Sequence, residues 1–193
     1  MISFRKTHPK RRDVAPKYSR YQRYKSLLKE DFHSRCGYCD DVDSYAGGRR
    51  VFHVDHFVPK KHLKNIKETD YSNLVYACPY CNGKKLADWP TNNEVLHNNG
   101  KEGYVDPCHE DYCKHFARDA DGAILGITEL GKYMWMHLEL FLRRHAIIWN
   151  LNRLDEMISE LKNNKNCVNN DALAEFMSDY YNYSKDLHNA NNE

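Results

Sequence analysis

Cys36-Gly-Tyr-Cys39 and Cys78-Pro-Tyr-Cys81 put two C-x2-C pairs in one chain of 193 residues. Each pair offers two thiolates from one tight turn, and tetrahedral zinc takes four, so Cys36, Cys39, Cys78 and Cys81 are expected to hold one structural zinc ion. Between and just after the pairs lie Asp55-His56, Asn73, Asn82 and Lys85. A neutral imidazole can take a proton from water near pH 7. Carboxylate and amide oxygens suit a hard cation such as Mg²⁺ or Mn²⁺, whereas thiolates suit zinc. The stretch therefore asks for two metals with two different tasks.

Residues 40 to 77 form a long spacer for a simple zinc ribbon, so the zinc is expected to clamp the ends of a folded unit. Val51 to Val54 is β-branched and aromatic and reads as a strand, with Pro59 beyond it as a stop. Leu74 to Ala77 reads as a second strand. The residues from Asn82 onward read as a short helix with Leu86 and Trp89 buried and Pro90 at its end. Adjacent strand residues face opposite ways, so Asp55 and His56 can share a site only where the strand ends or twists. Asn82 and Lys85, three apart on a helix, share a face.

This stretch resembles the HNH endonuclease family, whose core is a ββα-metal fold. The resemblance rests on Val54-Asp55-His56 with Pro59, on Asn73-Leu74, and on Cys78-x-x-Cys81-Asn82-x-x-Lys85. It implies that His56 is a general base, that Asp55 and Asn82 bind a catalytic divalent ion, that Asn73 orients His56 and that Lys85 contacts phosphate. Asn82 stands where the family name has its final histidine and keeps an oxygen ligand. The implied activity is phosphodiester hydrolysis, in DNA before RNA, in the setting of restriction or anti-phage defence. Two rivals compete with it. One is a zinc-knuckle module that binds nucleic acid without cutting it; the other is a subunit that docks a partner.

The formal net charge of +2 conceals an asymmetry. Residues 1–35 hold eleven Lys and Arg against three acidic residues, and residues 150–193 hold four against eight. The first segment reads as a basic arm and a helix over about Ser19 to His33. Tyr21, Tyr24, Leu28 and Phe32 should face the core, with the bases turned toward nucleic acid. Lys60, Lys61, His62 and Lys64 read as a charged loop, either solvated or in contact with the substrate backbone, and His53 reads as a structural histidine before a support for the ion or DNA. Seven cysteines, four of them in zinc spacing, argue for a reducing cytoplasm rather than a disulfide framework. No apolar run approaches the length of a membrane span, and Met1 to Lys6 has no apolar signal core.

The expected fold is α+β, in four parts: a basic N-terminal arm and helix (1–35), the zinc-clamped core (36–90), an irregular segment with a β-hairpin (91–128) and a helical C-terminal region (129–193). The hairpin is expected to flank Asp119-Ala-Asp-Gly122. Cys108, His109, Cys113 and His115 leave open a second metal, although C-x4-C-x-H is not a regular knuckle. From Glu129 to Leu161 the apolar rhythm is helical, as one long element or with a break near Asn150 to Asn152. Arg143 and Arg144 fall on its polar side, as surface charge. Asn163 to Asn170 reads as a loop. Asp171 to Leu187 reads as a last helix, with Leu173, Phe176, Met177 and Tyr180 on one face, and His188 to Glu193 as a frayed tail. This helical half is where a protein partner or a second copy of the chain would dock, and an ATPase subunit as that partner is what the resemblance implies.

Overall fold

A computed structural model of the chain describes residues 1–163 and 170–190. The fold is α+β. One small sheet joins β1 (Ile2–Ser3), β4 (Phe116–Arg118) and β5 (Ile124–Gly126), all antiparallel, in the order β1-β4-β5. A second pairs β2 (His53–His56) with β3 (Leu74–Ala77), also antiparallel, with Asp55 opposite Val75 and His56 opposite Leu74. The helices are α1 (Lys25–Asp31), α2 (Gly48–Val51), α3 (Pro79–Lys85), α4 (Glu129–His137), α5 (Arg143–Asn163) and α6 (Asn170–Ala190). One continuous apolar core runs under both sheets, α1 and α4, while Ile147, Ile148, Leu151 and Leu187 form a smaller cluster between α5 and α6.

The expected strand over Val51 to Val54 begins two residues later. Val51 closes α2, and β2 carries Asp55 and His56 at its end. The helix after the second knuckle starts earlier than expected, at Pro79. Proline suits a first helical turn, where its missing N–H has no partner to lose, and the Cys78 Sγ caps the turn by accepting from Cys81 N at 3.4 Å. It stops at Leu86, whose φ of 42° and ψ of −117° no helix can continue. Leu86 is 70% exposed rather than buried, while Trp89 is buried as expected.

The first knuckle docks on β3 through Gly37, whose N–H donates to Tyr76 O at 2.8 Å. A Cβ on Gly37 would lie 2.7 Å from both Phe32 and Val75, so only glycine admits this approach. The hairpin of β4 and β5 turns through Gly122 at φ +87°, as the Asp-Ala-Asp-Gly sequence predicts.

The basic N-terminal segment is bound into the fold rather than held out from it. β1 pairs with β4, Arg5 Nη2 donates to Gly37 O at 2.8 Å, and Arg11 Nε donates to Leu74 O at 2.7 Å. Arg12 is spent on Asp31 and Glu30. The helix expected over Ser19 to His33 is a 3₁₀ turn, Tyr21–Tyr24, running into α1, and Tyr24, Leu28 and Phe32 are buried as the spacing requires.

The long C-terminal helix does not break near Asn150. It breaks at Leu138 to Leu142, where Glu139 takes φ +51° and Leu138 and Leu140 are both buried. Phe141 is 45% exposed at this turn. Arg144 is no surface charge: it is buried, with Nη1 2.7 Å from Asp41 Oδ2 and its guanidinium carbon 3.9 Å from the Tyr80 ring centroid. Met177 lies on the exposed side of α6, and Leu187 on the buried side. The expected loop falls mostly at 164–169, outside the described residues. Of the expected tail, His188 to Ala190 still belong to α6, and 191–193 lie outside the described residues. No helix among the described residues is long and apolar enough to cross a membrane.

Candidate metal centre and active site

The four knuckle sulfurs lie within 4.8 Å of one another, and all four cysteines are buried. Cys39 and Cys78 Sγ are 3.8 Å apart. Tetrahedral zinc with Zn–S bonds of about 2.3 Å needs an edge of about 3.8 Å, so the donor set fits one zinc ion. The backbone supports the thiolates: Cys78 N donates to Cys36 Sγ at 3.3 Å and Cys81 N to Cys78 Sγ at 3.4 Å. Burial pushes the Cys39 and Cys81 thiols up, so four thiolates can gather here only around a cation. Among the described residues, Cys108, His109, Cys113 and His115 do not come together as a second ligand set. Cys113 Sγ faces His8 Nδ1 at 3.8 Å, and His115 Nδ1 lies 2.7 Å from Thr128 Oγ1.

A pocket of about 370 Å³ opens beside β2 and α3, lined by Tyr21, His53, Asp55, His56, Lys60 and Asn82, with Leu86 and Ala87 at its rim. The end of β2 delivers two consecutive residues to it. Asp55 is buried, and its Oδ2 accepts from Tyr38 Oη at 2.6 Å and pairs with Lys85 Nζ at 3.3 Å. Oδ1 accepts no hydrogen bond from the described residues. Burial and the neighbouring Asp55 hold the Tyr38 phenol well above its ordinary range, so it stays a donor. Asn82, on the first turns of α3, lines the same pocket with its side-chain amide unengaged among the described residues.

His56 is fixed from one side only. Its Nε2 lies 2.8 Å from Glu68 O, which as a carbonyl can only accept, so Nε2 carries the proton. Nδ1 is then the lone pair; it has no intramolecular partner among the described residues and is not sealed from solvent. The Tyr21 ring packs edge-to-face with the imidazole at 4.6 Å between centroids and 69° between planes. Burial lowers the His56 pKa below its ordinary value, outweighing the Glu68 carbonyl.

Two expected residues do not face the pocket. Asn73 Oδ1 accepts from Val58 N at 2.8 Å, and its Nδ2 donates to Val58 O at 3.0 Å. This two-way grip holds the chain just after His56 and does not touch the imidazole. Lys85 is fully buried, donating to His56 O at 2.9 Å, with the Tyr38, Trp89 and Tyr104 ring centroids 5.8–5.9 Å from its Nζ. In this arrangement the ammonium faces Asp55 and not the pocket mouth, because a buried cation settles where a carboxylate and aromatic faces compensate its lost hydration. His53, expected to be structural, is instead exposed on the pocket wall. Sequence reasoning missed three participants: the hydroxyl of Tyr38, inside the first knuckle, the ring of Tyr21, and the carbonyl of Glu68. Only Tyr38, placed by the cysteines on either side of it, carried any signal of its location.

Residues 36–88 match the family model described as HNH endonuclease. The match takes in both knuckles, β2, β3 and α3, and covers well under half of the chain. Neither a curated protein nor a solved structure matches the chain. The matched segment, similar to HNH endonucleases, carries the four-cysteine cluster.

Proposed function

We propose that the protein is a metal-dependent endonuclease that hydrolyses phosphodiester bonds in DNA, with the pocket at the end of β2 as its active site. The observation that carries this reading is the convergence of His56, Asp55 and Asn82 on one pocket, with His56 Nδ1 and one Asp55 oxygen unengaged. Asp55 Oδ1 and the Asn82 amide oxygen are the groups that would hold Mg²⁺ or Mn²⁺. Such an ion, when bound, stabilises charge on the phosphate and on the leaving oxygen.

His56 does the proton work. Its Nδ1 takes a proton from a water molecule, the water oxygen forms a bond to phosphorus, and the P–O3′ bond breaks, leaving a 5′-phosphate and a 3′-hydroxyl once solvent protonates the leaving oxygen. Glu68 O fixes the tautomer that presents Nδ1. Asn73 holds the chain after His56 through Val58. Lys85 and Tyr38 hold Asp55 Oδ2, so that Oδ1 is the oxygen offered to the cation. The setting in restriction or anti-phage defence follows from the family resemblance, and a cytoplasmic location from the cysteine usage, not from this site.

The test is incubation of the purified protein with supercoiled plasmid and with RNA, in Mg²⁺, in Mn²⁺ and in EDTA. Nicking of the plasmid that needs a divalent ion and is lost in His56→Ala supports the reading. Plasmid binding without cutting under every ion would replace it with the non-catalytic zinc-knuckle module.

A further inference from the structure

The match to the nuclease family begins at Cys36, yet one wall of the pocket comes from outside it. That wall is the 3₁₀ turn Tyr21–Tyr24. In a 3₁₀ turn residues three apart eclipse one another. Tyr21 and Tyr24 therefore share one face, and Arg23 N donates to Arg20 O at 3.2 Å to close the turn, with Arg20 the extended residue that precedes it. Tyr24 is the anchor: it is buried, its hydroxyl accepts from Tyr18 N at 3.1 Å, and its ring packs on Tyr71 at 5.1 Å. Tyr21, held by that anchor, packs edge-to-face with His56, while the Lys60 ammonium lies 5.1 Å from its ring centroid.

A second concavity of about 600 Å³ adjoins the pocket on the other side of Tyr21, lined by Ser19, Arg20, Gln22, Arg23 and Glu68. Tyr21 lines both, and Glu68 belongs to this concavity while its carbonyl holds His56. The Glu68 carboxylate is matched by Lys60 at 3.9 Å. Arg20 and Arg23 are exposed and have no carboxylate partner among the described residues, unlike Arg5, Arg11 and Arg12 of the same segment. More cations gather at the start of α1, directly after the turn. Lys25 Nζ donates to Arg50 O at 3.2 Å, Arg49 Nη2 donates to Ser26 Oγ at 2.6 Å, and burial together with Arg49 lowers the Lys25 pKa. Like charges crowded without counter-charges favour a polyanion.

We propose that this turn is a working wall of the active site, with Tyr21 a positioning residue for His56 and with Arg20 and Arg23 holding the backbone phosphate next to the scissile one. The proposal rests on the nuclease reading for Tyr21; the arginine contact stands on nucleic-acid binding alone. Guanidinium forks suit phosphate oxygens, and two of them at one short turn hold a phosphate at a fixed distance from the base.

The experiment measures steady-state cleavage of a fluorescent DNA duplex in Mg²⁺, and equilibrium binding of the same duplex in EDTA across a salt series. The proteins compared are wild type, Arg20→Gln/Arg23→Gln, Tyr21→Ala and Tyr21→Phe, each checked for zinc content and for thermal midpoint. The double arginine variant should raise KM about tenfold with kcat little changed. It should also flatten the slope of log K against log salt by about one, at about 0.9 for the one phosphate that the protein no longer neutralises. Tyr21→Ala should lower kcat at least tenfold with KM and salt slope unchanged, and Tyr21→Phe, which keeps the ring, should restore kcat. An unchanged salt slope in the arginine variant overturns the phosphate contact. Equal kcat in Tyr21→Ala and wild type, or a reduced kcat in Tyr21→Ala and Tyr21→Phe alike, overturns the positioning role. A wild type that cuts no nucleic acid overturns the nuclease reading and with it the role of Tyr21, while the binding series still decides the arginines.

Discussion

The Lys85 ammonium lies 3.3 Å from Asp55 Oδ2, fully buried, and its second partner is the carbonyl of His56. One side chain from α3 thus grips both residues that β2 delivers to the pocket. Lys85→Met keeps the length and volume but removes the charge. It should cost about 3–5 kcal/mol of stability, because it strands the Asp55 carboxylate without its cation. It should also lower cleavage about 10–100-fold, as removal of a group that orients a metal ligand does. Pairing it with Asp55→Asn should recover stability in a thermal melt without recovering cleavage. If Lys85→Met cut DNA at the wild-type rate, Lys85 would have no part in presenting Asp55.

The knuckle sulfurs fit one zinc ion, so elemental analysis of the purified protein should give one equivalent per chain. Cys36→Ser should lower the zinc content and the thermal midpoint together, since zinc affinity here is folding free energy. A wild type that melts cooperatively with no zinc would show that the cluster is held by packing alone. Two equivalents would contradict the separation of Cys108, Cys113 and His115 in the structure.

The residues just after the first knuckle tie the chain's parts together by charge. Asp40 lies 3.4 Å from Arg35, Asp41 lies 2.7 Å from Arg144 and 2.9 Å from His145, and Asp43 lies 2.8 Å from Lys29. Burial alone would raise the Asp41 pKa, but His145 and Arg144 outweigh it and hold the carboxyl below its ordinary range. A depressed carboxylate adds stability above its unfolded pKa of about 3.9, and that stability is lost as pH falls through the lower folded value. Asp40, raised by burial, acts in the opposite direction. Asp41→Asn should therefore destabilise the protein at pH 7 and flatten its acid unfolding below about pH 4. Arg144→Met should be similarly harmful, and the double variant less harmful than the sum of the two, because each single change leaves a buried charge unpaired. Additive melts would mean that the two side chains do not interact.

The zinc set, β3, the hairpin at Gly122 and the inward face of α1 were legible because each rests on local rules: ligand spacing, apolar alternation, turn chemistry and helical period. The pocket was legible in part. Asp55, His56 and Asn82 face it as the spacing suggested, but Lys85 and Asn73 act one step back, and nothing local to either residue distinguishes a polar group that meets solvent from one that meets a buried partner. Arg144 shows the same limit. On a helical wheel it sits with the polar residues, and only the distant Asp41, more than a hundred positions earlier, makes burial favourable. The break at Glu139 was invisible because neither glycine nor proline marks it. Arg5, Arg11 and Arg12 looked like a nucleic-acid arm because composition counts charges without their partners.

The proposed roles, His56 as base and Asn82 as a metal ligand, predict the sharpest contrast between variants. His56→Ala should abolish plasmid nicking, by about 10²-fold or more, while leaving zinc content, fold and DNA binding intact. More divalent ion should not rescue it, because added metal cannot accept the proton that Nδ1 takes. Asn82→Ala should also lose nicking, but raised Mg²⁺ or Mn²⁺ should restore part of it, since the amide is one donor among several and mass action can refill a weakened site. The pH profile separates them further. Neutral imidazole is the working form, so the wild-type rate should rise with pH through the folded pKa of His56 and level off above it. Burial places that pKa below the ordinary value of about 6.5, so the rising limb should lie on the acid side of it. Asn82→Ala, assayed at saturating metal, should keep the limb at a lower plateau, and the residual rate of His56→Ala should lack it. Metal rescue of His56→Ala, or a limb that survives without the imidazole, would assign the proton transfer to another group.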